Sequence, residues 1–433
     1  MDNVILKSLS AENFASFAER ITFTTETDAS KKENLDNTFI NGDLRFNKVS
    51  FLYGANGSGK TFFCKILREI QRYLTLSPLI IATDNTQFLS TPQLKGLDAP
   101  VKPFAFDVSC QEKPTTFCIE VVISKTVYHY EFSIQGKQVV RELLTKKYRR
   151  TEMLIDRTSP AYKDISLRSE LKGFEPTKQT VKPEALCLPI AAMLNNELAS
   201  QLNNAIRGIQ VVSMTAGRLN PINPKKTFSK ERIEKYIRII QKADPTIRNI
   251  EVSLSEEEVA RQKIETDDFE NREIIATKTT VGIDTKHVVY DNGEERSNQA
   301  PIAFFAEESL GTVKLFTALP YLYDVLETGG VLIIDELENG LHISLAKEIV
   351  NLFTGEESNT KHAQLICTSH QPLLLDGDYR RDQVWVVAKD SFGKSLLHRL
   401  SEMQTPRAKI NLTAQILKGA FGCNPDMFFE NNT

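Results

Sequence analysis

The chain has 433 residues, of which 41% are hydrophobic and 25% charged, and this composition excludes a disordered or fibrous protein. Its formal net charge of −3 excludes a protein that is basic throughout, so nucleic-acid binding would need local clusters of Lys and Arg. The six cysteines form no C-x-x-C pair and no Cys/His cluster at zinc spacing, and no signal peptide or long apolar span is present. We therefore expect a cytoplasmic protein with no metal held by cysteine and no membrane partner.

The N-terminal segment predicts two strands. Val4–Leu9 alternates in polarity, and NFASFAERITF (Asn13–Phe23) turns and returns as a second strand. A third apolar run, Val49–Tyr53, leads into a glycine-rich octapeptide. We expect the first two strands to begin the same sheet as this third one.

The octapeptide GANGSGKT follows that apolar run and precedes a helical stretch, Phe62–Tyr73. It matches G-x-x-x-x-G-K-[ST] at every fixed position, in the strand-to-helix context that a phosphate-binding loop requires. Such a turn points backbone N–H groups at phosphates; Lys60 is placed to reach the β- and γ-phosphates, and Thr61 to bind Mg²⁺. The predicted ATP-binding residues here are Gly54, Ala55, Asn56, Gly57, Ser58, Gly59, Lys60 and Thr61.

Four runs with period-two character follow and predict an antiparallel meander: FAFDVSC, TFCIEVVIS, VYHYEFSI and QVVRELLTKKY. From there the pattern changes to helices at Ile190–Ile209 and Lys230–Ala243. An antiparallel pair, Glu273–Gly282 with Thr285–Tyr290, is predicted next, closed by a turn at 291–293. The chain thus divides into a first lobe at 1–150, an insertion at 151–298 and a second lobe at 299–433.

Two basic clusters are candidates for contacts with a nucleic-acid backbone. One is KKYRR (146–150), and Tyr148 and Tyr236 could add stacking on bases. The other contains Lys225, Lys226, Lys230, Arg232, Lys235, Arg238 and Lys242. The favoured interpretation is a solvated helix face, because the opposite face carries Ile233, Tyr236, Ile237 and Ile240. The acidic segments SEEE (255–258) and TDDFE (266–270) would also weaken a positive field.

Two apolar runs near the C-terminal end each finish in polar residues. The run 331–334 precedes Asp335 and Glu336, as expected of a buried parallel strand that ends at a ligand crevice. Asp335 is predicted to bind Mg²⁺, and Glu336 to orient and deprotonate the attacking water. The second run, in AQLICTSHQPLLL (363–375), ends near His370, which is predicted to sense or position the γ-phosphate.

Between the insertion and the acids, ESLGT (308–312) precedes an apolar-periodic stretch. Ser309 or Thr312 is predicted to cap a helix there, and a serine and glycine at a helix N-terminus can form an anion site.

The order of these motifs resembles the ABC-type ATPase heads of the SMC, RecF and OLD-like group, in which two subunits sandwich ATP. The chain looks most like the RloA, PtuA and AriA-type ATPases that accompany bacterial anti-phage systems. The resemblance covers 4–73 and 302–427 and is carried by NFASF, ESLGT, IDELENGLH, TSHQPLLL, RDQVWVVAKD and LKGAFGCNPD.

The resemblance implies an α/β P-loop NTPase fold: an ABC-ATPase-like head with an antiparallel β lobe and a mixed helical/β insertion. It implies ATP and Mg²⁺ as ligands, phosphates cradled by 56–61, magnesium at Asp335, Glu336 as general base and His370 as the switch histidine. Ser309 and Gly311 would be the signature that contacts the γ-phosphate of the opposite subunit, and 338–342 would face that subunit. ESLGT departs from the LSGGQ of transporter heads, and no Q-loop glutamine is identifiable.

The leading hypothesis is therefore an ATPase that dimerises on ATP, as a homodimer or within a higher homo-oligomer. It senses a phage-derived protein or nucleic acid, DNA included, and controls a partner effector nuclease of TOPRIM or HNH type. A nuclease within this chain is disfavoured, because the segment after the last predicted strand is too short for a TOPRIM domain and Asp376-Gly377-Asp378 is expected to be a surface turn. The alternative is a RecF/SMC-like DNA-binding ATPase of repair or recombination. A transporter subunit is disfavoured by the NFASF start and the non-matching signature.

Overall fold

A computed structural model of the chain describes residues 3–30, 33–82, 99–214, 224–265, 271–403 and 413. It divides into two compact units, the first formed by Met1–Ser213, Asp324–Glu338 and Ala346–Thr433, and the second by Met214–Tyr323 and Asn339–Leu345. Residues 151–213, the first part of the predicted insertion, belong to the first unit. The three-part division of the chain stays a prediction. TDDFE and LKGAFGCNPD lie outside the described residues.

The strands, in chain order, are β1 (Val4–Glu12), β2 (Ile21–Thr24), β3 (Thr38–Asn41), β4 (Leu44–Asn47), β5 (Val49–Tyr53), β6 (Thr115–Ile123), β7 (Thr126–Gln135), β8 (Gln138–Lys147), β9 (Thr151–Arg157), β10 (Ile165–Leu167), β11 (Gln210–Ser213), β12 (Ile247–Glu265), β13 (Asn271–Asp291), β14 (Glu294–Ala303), β15 (Val331–Asp335), β16 (Gln364–Ser369), β17 (Val384–Lys389) and β18 (Ser395–Arg399). The helices are α1 (Lys60–Ala82), α2 (Val108–Gln111), α3 (Cys187–Met193), α4 (Glu197–Arg207), α5 (Pro224–Thr227), α6 (Lys230–Ala243), α7 (Phe304–Glu307), α8 (Leu310–Thr328) and α9 (Ile343–Thr354).

The first unit contains a seven-stranded antiparallel sheet in the order β10-β9-β8-β7-β6-β1-β2. The meander predicted over β6, β7 and β8 is confirmed, but FAFDVSC is not a strand, because Asp107 accepts a hydrogen bond from the Ser109 N–H and caps α2. The prediction that β1 and β2 begin the nucleotide-binding sheet is wrong. β1 pairs with β6 along nearly its whole length and so belongs to the antiparallel sheet.

A second sheet of the same unit has the order β11-β15-β16-β5-β17-β18 and is parallel except at β18. Every residue of β5, β15 and β16 is buried, as their continuous apolar runs predict. The β16 strand lies between β5, which leads into the phosphate loop, and β15, which ends in the acids. The carboxyl ends of these three neighbouring parallel strands therefore meet at one edge.

The predicted helix at 190–209 is two helices in the structure. Asn195 adopts φ 63°, in the left-handed region that ends α3, and Asn196 caps α4 by accepting a hydrogen bond from the Ala199 N–H at 2.9 Å. Both helices pack on α1, and all three contribute to one hydrophobic core.

The second unit is built on the three-stranded sheet β12-β13-β14. The predicted pair 273–282 and 285–290 is wrong: both segments lie in the single strand β13. Gly282, read as the end of a strand, stays in the β12 pairing opposite Ser253. The turn at 292–293 instead joins β13 to β14. Helix α6 matches its predicted bounds, and its buried Tyr236 packs edge-on against Phe316 of α8.

Candidate active site

The phosphate loop connects β5 to α1 and contains two glycines with positive φ, Gly57 at 78° and Gly59 at 119°. A Cβ at Gly59 would lie 2.4 Å from Ser395 Oγ, and a Cβ at Gly54 would lie 2.4 Å from the carbonyl oxygen of Val387. Backbone conformation and close packing together therefore require glycine at position 59, and packing alone requires it at position 54.

Lys60 is 5% exposed, and its ammonium group lies within the loop. Its Nζ donates hydrogen bonds to the carbonyl oxygens of Gly54 at 2.6 Å and Ala55 at 2.8 Å. A positive charge held inside a glycine-rich turn at a helix N-terminus is suited to pair with a phosphate group.

Ser16 and Ser395, which are distant in sequence, form hydrogen bonds that hold the phosphate loop. Ser395 Oγ donates to the carbonyl oxygen of Ser58 at 2.5 Å and lies 2.7 Å from Ser16 Oγ. The Ser395 N–H also donates to the Ser16 carbonyl oxygen at 2.7 Å. Ser16 belongs to NFASF, so this N-terminal motif buttresses the phosphate loop, a role that the sequence pattern does not reveal.

Asp335 ends β15 and is 3% exposed. Its Oδ1 accepts a hydrogen bond from Thr368 Oγ1 at 2.8 Å and lies 3.4 Å from Thr61 Oγ1. A carboxylate and a hydroxyl oxygen at this spacing are the donor types that magnesium prefers, so the two residues fit that ion. Burial first, and then the Asp335 carboxylate, raise the pKa of the neighbouring Cys64 thiol well above its ordinary value, which keeps the thiol neutral.

Glu336 adopts φ 56°, a left-handed conformation that costs a non-glycine residue about 1–2 kcal/mol. Its backbone N–H donates to Thr368 Oγ1 at 2.8 Å, and the Leu337 N–H donates to the Thr368 carbonyl oxygen at 3.2 Å. The fully buried Thr368 hydroxyl thus donates to one acid and accepts from the backbone of the other. Sequence reasoning missed this residue.

Replacing Thr368 is expected to disturb both acids. Thr368→Ala removes a hydrogen bond to a charged group, typically about 1.5–3 kcal/mol, so we expect kcat for ATP hydrolysis to fall about 10–100-fold. Thr368→Ser keeps the hydroxyl and is the matched control, expected within about threefold of wild type. Steady-state phosphate release measures both variants, and equal rates for Ala and Ser would contradict this role.

His370 follows β16 and is held by Glu338. The Glu338 Oε1 accepts the His370 backbone N–H at 2.8 Å and lies 3.0 Å from its Nδ1. Glu338 is 7% exposed at its side chain and His370 is 43% exposed, so a buried carboxylate orients a solvent-facing imidazole. With Nδ1–H donated to Glu338, the Nε2 atom is left to accept a hydrogen bond, as from an attacking water.

We expect Glu338→Ala to reduce kcat about 10–100-fold with little change in KM, because it releases the imidazole but leaves the phosphate loop intact. Glu338→Gln keeps an oxygen that accepts from Nδ1–H and should recover a large part of the rate. A full steady-state profile separates kcat from KM. Equal kcat values for Glu338→Gln and Glu338→Ala would contradict the claim that the Glu338–His370 hydrogen bond supports the rate.

Ser309 and Gly311 lie in the second unit, at the start of α8. Ser309 caps the helix, as predicted: its Oγ accepts from the Thr312 N–H at 3.1 Å, and its carbonyl oxygen accepts from the Val313 N–H at 3.0 Å. A Cβ at Gly311 would lie 2.9 Å from the Gly340 carbonyl oxygen, so the loop that follows the acids packs against the helix start. Leu310, between the two signature residues, is 63% exposed.

Helix α6 exposes fewer groups that could contact a nucleic acid than its sequence predicts. Tyr236 is fully buried with its hydroxyl donating to the Thr227 carbonyl oxygen at 3.1 Å, and Arg232 is buried too. Tyr236 is therefore unavailable to stack on a base. The predicted packed face is confirmed at Tyr236 and Ile240, but the placement of Arg232 on the solvated face is wrong, because Arg232 is one and two turns from these residues and is buried with them. Tyr148 in the other cluster is 61% exposed, while Lys146 pairs with Glu152 and Glu170.

Residues 216–376 match a family described as "AAA domain, putative AbiEii toxin, Type IV TA system". The match includes the strand that ends in the acids, the His370 loop and the ESLGT helix. It supports an AAA-type ATPase. Together with a phosphate loop at the edge of a parallel sheet, it confirms the P-loop NTPase fold. No curated protein matches the chain.

Solved structures that match the chain include three SMC heads. The SMC head domain from Thermotoga maritima is 11% identical, with 92% of this chain and 99% of that chain covered and a TM-score of 0.36. An SmcHead bound to the C-winged helix domain of ScpA is 12% identical, at 92% and 99% coverage and a TM-score of 0.41. An Smc head with an extended coiled coil, bound to the C-terminal domain of ScpA derived from Pyrococcus furiosus, is 12% identical, at 96% and 99% coverage and a TM-score of 0.37.

Among the described residues, no helix has the length and apolarity needed to cross a membrane.

Proposed function

We propose that this chain is an ABC-type ATPase whose copies dimerise on ATP and that it regulates a partner effector nuclease in bacterial anti-phage defence. The observation that carries the ATPase part is the hydrogen-bonded set of Thr61, Asp335, Thr368 and the Glu336 backbone at one sheet edge. A phosphate loop and two carboxylates in such a set are the parts that hydrolysis of a nucleoside triphosphate requires.

In the proposed reaction the loop residues Gly54–Thr61 bind the phosphates of ATP, and Lys60 offsets their negative charge. Thr61 and Asp335 hold Mg²⁺, which supplies charge neutralisation of the phosphate oxygens when bound. Glu336 accepts a proton from the attacking water, and His370, oriented by Glu338, accepts a second hydrogen bond from that water. Thr368 fixes the positions from which both acids act.

The proposed dimer places Ser309 and Gly311 of one copy over the nucleotide of the other. Support comes from the exposure of Ser309 and Leu310 at the start of α8. Helix N-termini favour phosphate because of their unpaired N–H groups and their dipole. ATP would then hold two heads together, and its hydrolysis would release them.

The regulatory part of the proposal is supported by the matched family's description, which names a putative AbiEii toxin of a Type IV TA system. The test is phage plating on cells that carry the gene for this chain together with its adjacent gene, in wild-type form and with Lys60→Ala. Protection should depend on Lys60, and an endonuclease encoded next to this chain should copurify with it. Equal plating of phage on both strains would contradict the proposal.

The alternative, a DNA-binding ATPase of repair or recombination, rests on the exposed Lys225, Lys226 and Lys230. It expects salt-dependent duplex binding by the purified chain that is lost when these three residues are replaced by Gln. The burial of Tyr236 and Arg232 removes two of the groups that such an interface would use.

A further inference from the structure

A cluster of three side chains with donor atoms suited to a metal lies on the antiparallel sheet of the first unit. Cys118 is on β6, and His129 and Glu131 are on β7; one donor atom from each lies within 4.8 Å of the others. The hairpin register explains the cluster, because Cys118 lies opposite Glu131 and Glu120 lies opposite His129. These three residues are not spaced along the chain as the ligands of a zinc motif are, so the sequence does not reveal the cluster. The expectation that no cysteine holds a metal depends on that spacing alone.

The separation of the donors matches a tetrahedral ion. Cys118 Sγ lies 3.8 Å from His129 Nε2 and 3.6 Å from its Nδ1. A tetrahedral zinc with Zn–S of about 2.3 Å and Zn–N of about 2.0–2.1 Å separates sulfur and nitrogen by about 3.6 Å. Both separations in the structure are therefore close to the sulfur–nitrogen distance across one ion.

A second carboxylate orients the histidine. His129 Nδ1 lies 3.3 Å from Glu120 Oε1, and Glu120 is itself held by Lys7 and Ser8, each at 2.9 Å. Histidines that bind metals usually donate their other ring N–H to a carboxylate, which directs the free nitrogen at the ion. Donation of Nδ1–H to Glu120 would leave Nε2, which lies 3.8 Å from the Cys118 sulfur, as the nitrogen that binds the ion.

The site lies among charged groups and is open to solvent. The Glu131 and Glu120 carboxylates lie beside Cys118, and so does the Arg20 guanidinium. Cys118 is 3% exposed, whereas the His129 side chain is 29% exposed, so the site opens to solvent on one side. The Arg20 guanidinium donates a hydrogen bond to Glu131 Oε2 at 2.6 Å, and the carboxylate has a second oxygen that can bind an ion.

We propose that Cys118, His129 and Glu131 form a site for a zinc-class divalent cation, with the fourth position open to water and Glu120 orienting His129. Zinc accepts a set of one sulfur, one nitrogen and one carboxylate oxygen, whereas magnesium and calcium prefer sites made of oxygen ligands alone. The strands that carry these ligands belong to the antiparallel sheet, whereas β5, β15 and β16 belong to the parallel sheet.

The probe is Co²⁺ added to the metal-stripped full chain. We expect a thiolate-to-cobalt charge-transfer band in the near ultraviolet that saturates at one ion per chain and is displaced by Zn²⁺. Cys118→Ser should abolish the band, and Glu120→Gln should weaken Co²⁺ binding about 10–100-fold while leaving all three ligands in place. Cys110→Ser and Lys60→Ala are the matched controls and should leave the band unchanged.

His129→Ala gives an independent check if the Cys118 variant folds poorly: Zn²⁺ should raise the Tm of the wild type, and this shift should be lost in His129→Ala. The absence of a band in the wild type, or an equal band in Cys118→Ser, would overturn the proposal. A band that Glu120→Gln leaves at full affinity would overturn the orienting role of Glu120.

Discussion

Glu336→Gln is expected to lower kcat for ATP hydrolysis by about 10²–10⁴-fold, the usual contribution of a general base, while ATP still binds. The substitution keeps the side-chain shape and leaves the Glu336 N–H bonded to Thr368, so the acids stay in place. Because ATP is bound and not consumed, the variant should accumulate as a nucleotide-bound dimer. Phosphate release measures the rate, and light scattering with and without ATP measures the dimer.

The matched control is Glu348→Gln, which makes the same change at an exposed position of α9 in the first unit. It should hydrolyse ATP at the wild-type rate and should not accumulate as a dimer. A Glu336→Gln protein that retains hydrolysis within tenfold of wild type would remove Glu336 from the proposed role of general base.

The second large effect is expected on stability, at a fully buried ion pair in the antiparallel sheet. Glu142 accepts the N–H groups of Cys187 and Leu188 at 2.7 and 3.0 Å, and so caps the start of α3. Arg157 lies 3.9 Å from it and donates to backbone carbonyl oxygens, including that of Ala185 at 2.7 Å. Burial raises the pKa of Glu142 above its ordinary value, although Arg157 and these N–H groups oppose the shift.

Glu142→Ala leaves the Arg157 charge buried without its carboxylate partner, and we expect the free energy of unfolding to fall by about 3–5 kcal/mol. Urea unfolding of the full chain measures the loss. Tyr130→Phe is the graded control: it removes one hydrogen bond to Glu142, 2.9 Å long, and should cost about 1 kcal/mol. A loss below about 1 kcal/mol for Glu142→Ala would show that the pair is not needed to hold α3.

What the sequence predicts well is local in the chain. The phosphate loop, the helix that follows it and the buried strands β15 and β16 each depend on contiguous residues, so their patterns are legible without the fold. The cap at Ser309 is local in the same way. The phosphate loop, Asp335 and Ser309 belong to these elements, and Glu336 and His370 directly follow the two strands.

What the sequence does not predict depends on pairing between distant segments. Ser16 and Ser395 meet behind the phosphate loop although they are 379 positions apart. The sequence shows Thr368 only as a residue of a buried strand. Its hydrogen bonds with the two acids depend on β16 lying beside β15. Cys118 and His129 are diagonal neighbours on one face only in the observed hairpin register, and a shift of one residue would turn them to opposite faces.

The sheet to which β1 and β2 belong is hidden for the same reason, since alternation identifies a strand but not its neighbour. At β13 the wrong prediction comes from a local turn signal, which divides one strand into two. Gly282 carries the residue type of a turn, but it stays in the β12 pairing opposite Ser253, with the Ser253 Oγ 2.5 Å from where its Cβ would lie. Pairing across the sheet overrides the local signal there.

The central claim is that one copy's Lys60 and another copy's Ser309 act on the same ATP. The direct measurement mixes two inactive proteins, Lys60→Ala and Ser309→Arg, and follows phosphate release. Each protein alone should be inactive, because every site of its homodimer lacks one half. Random mixing should restore about a quarter of the wild-type rate, since each mixed dimer has one site in which both halves are intact. A mixture no more active than its two components would contradict a shared site.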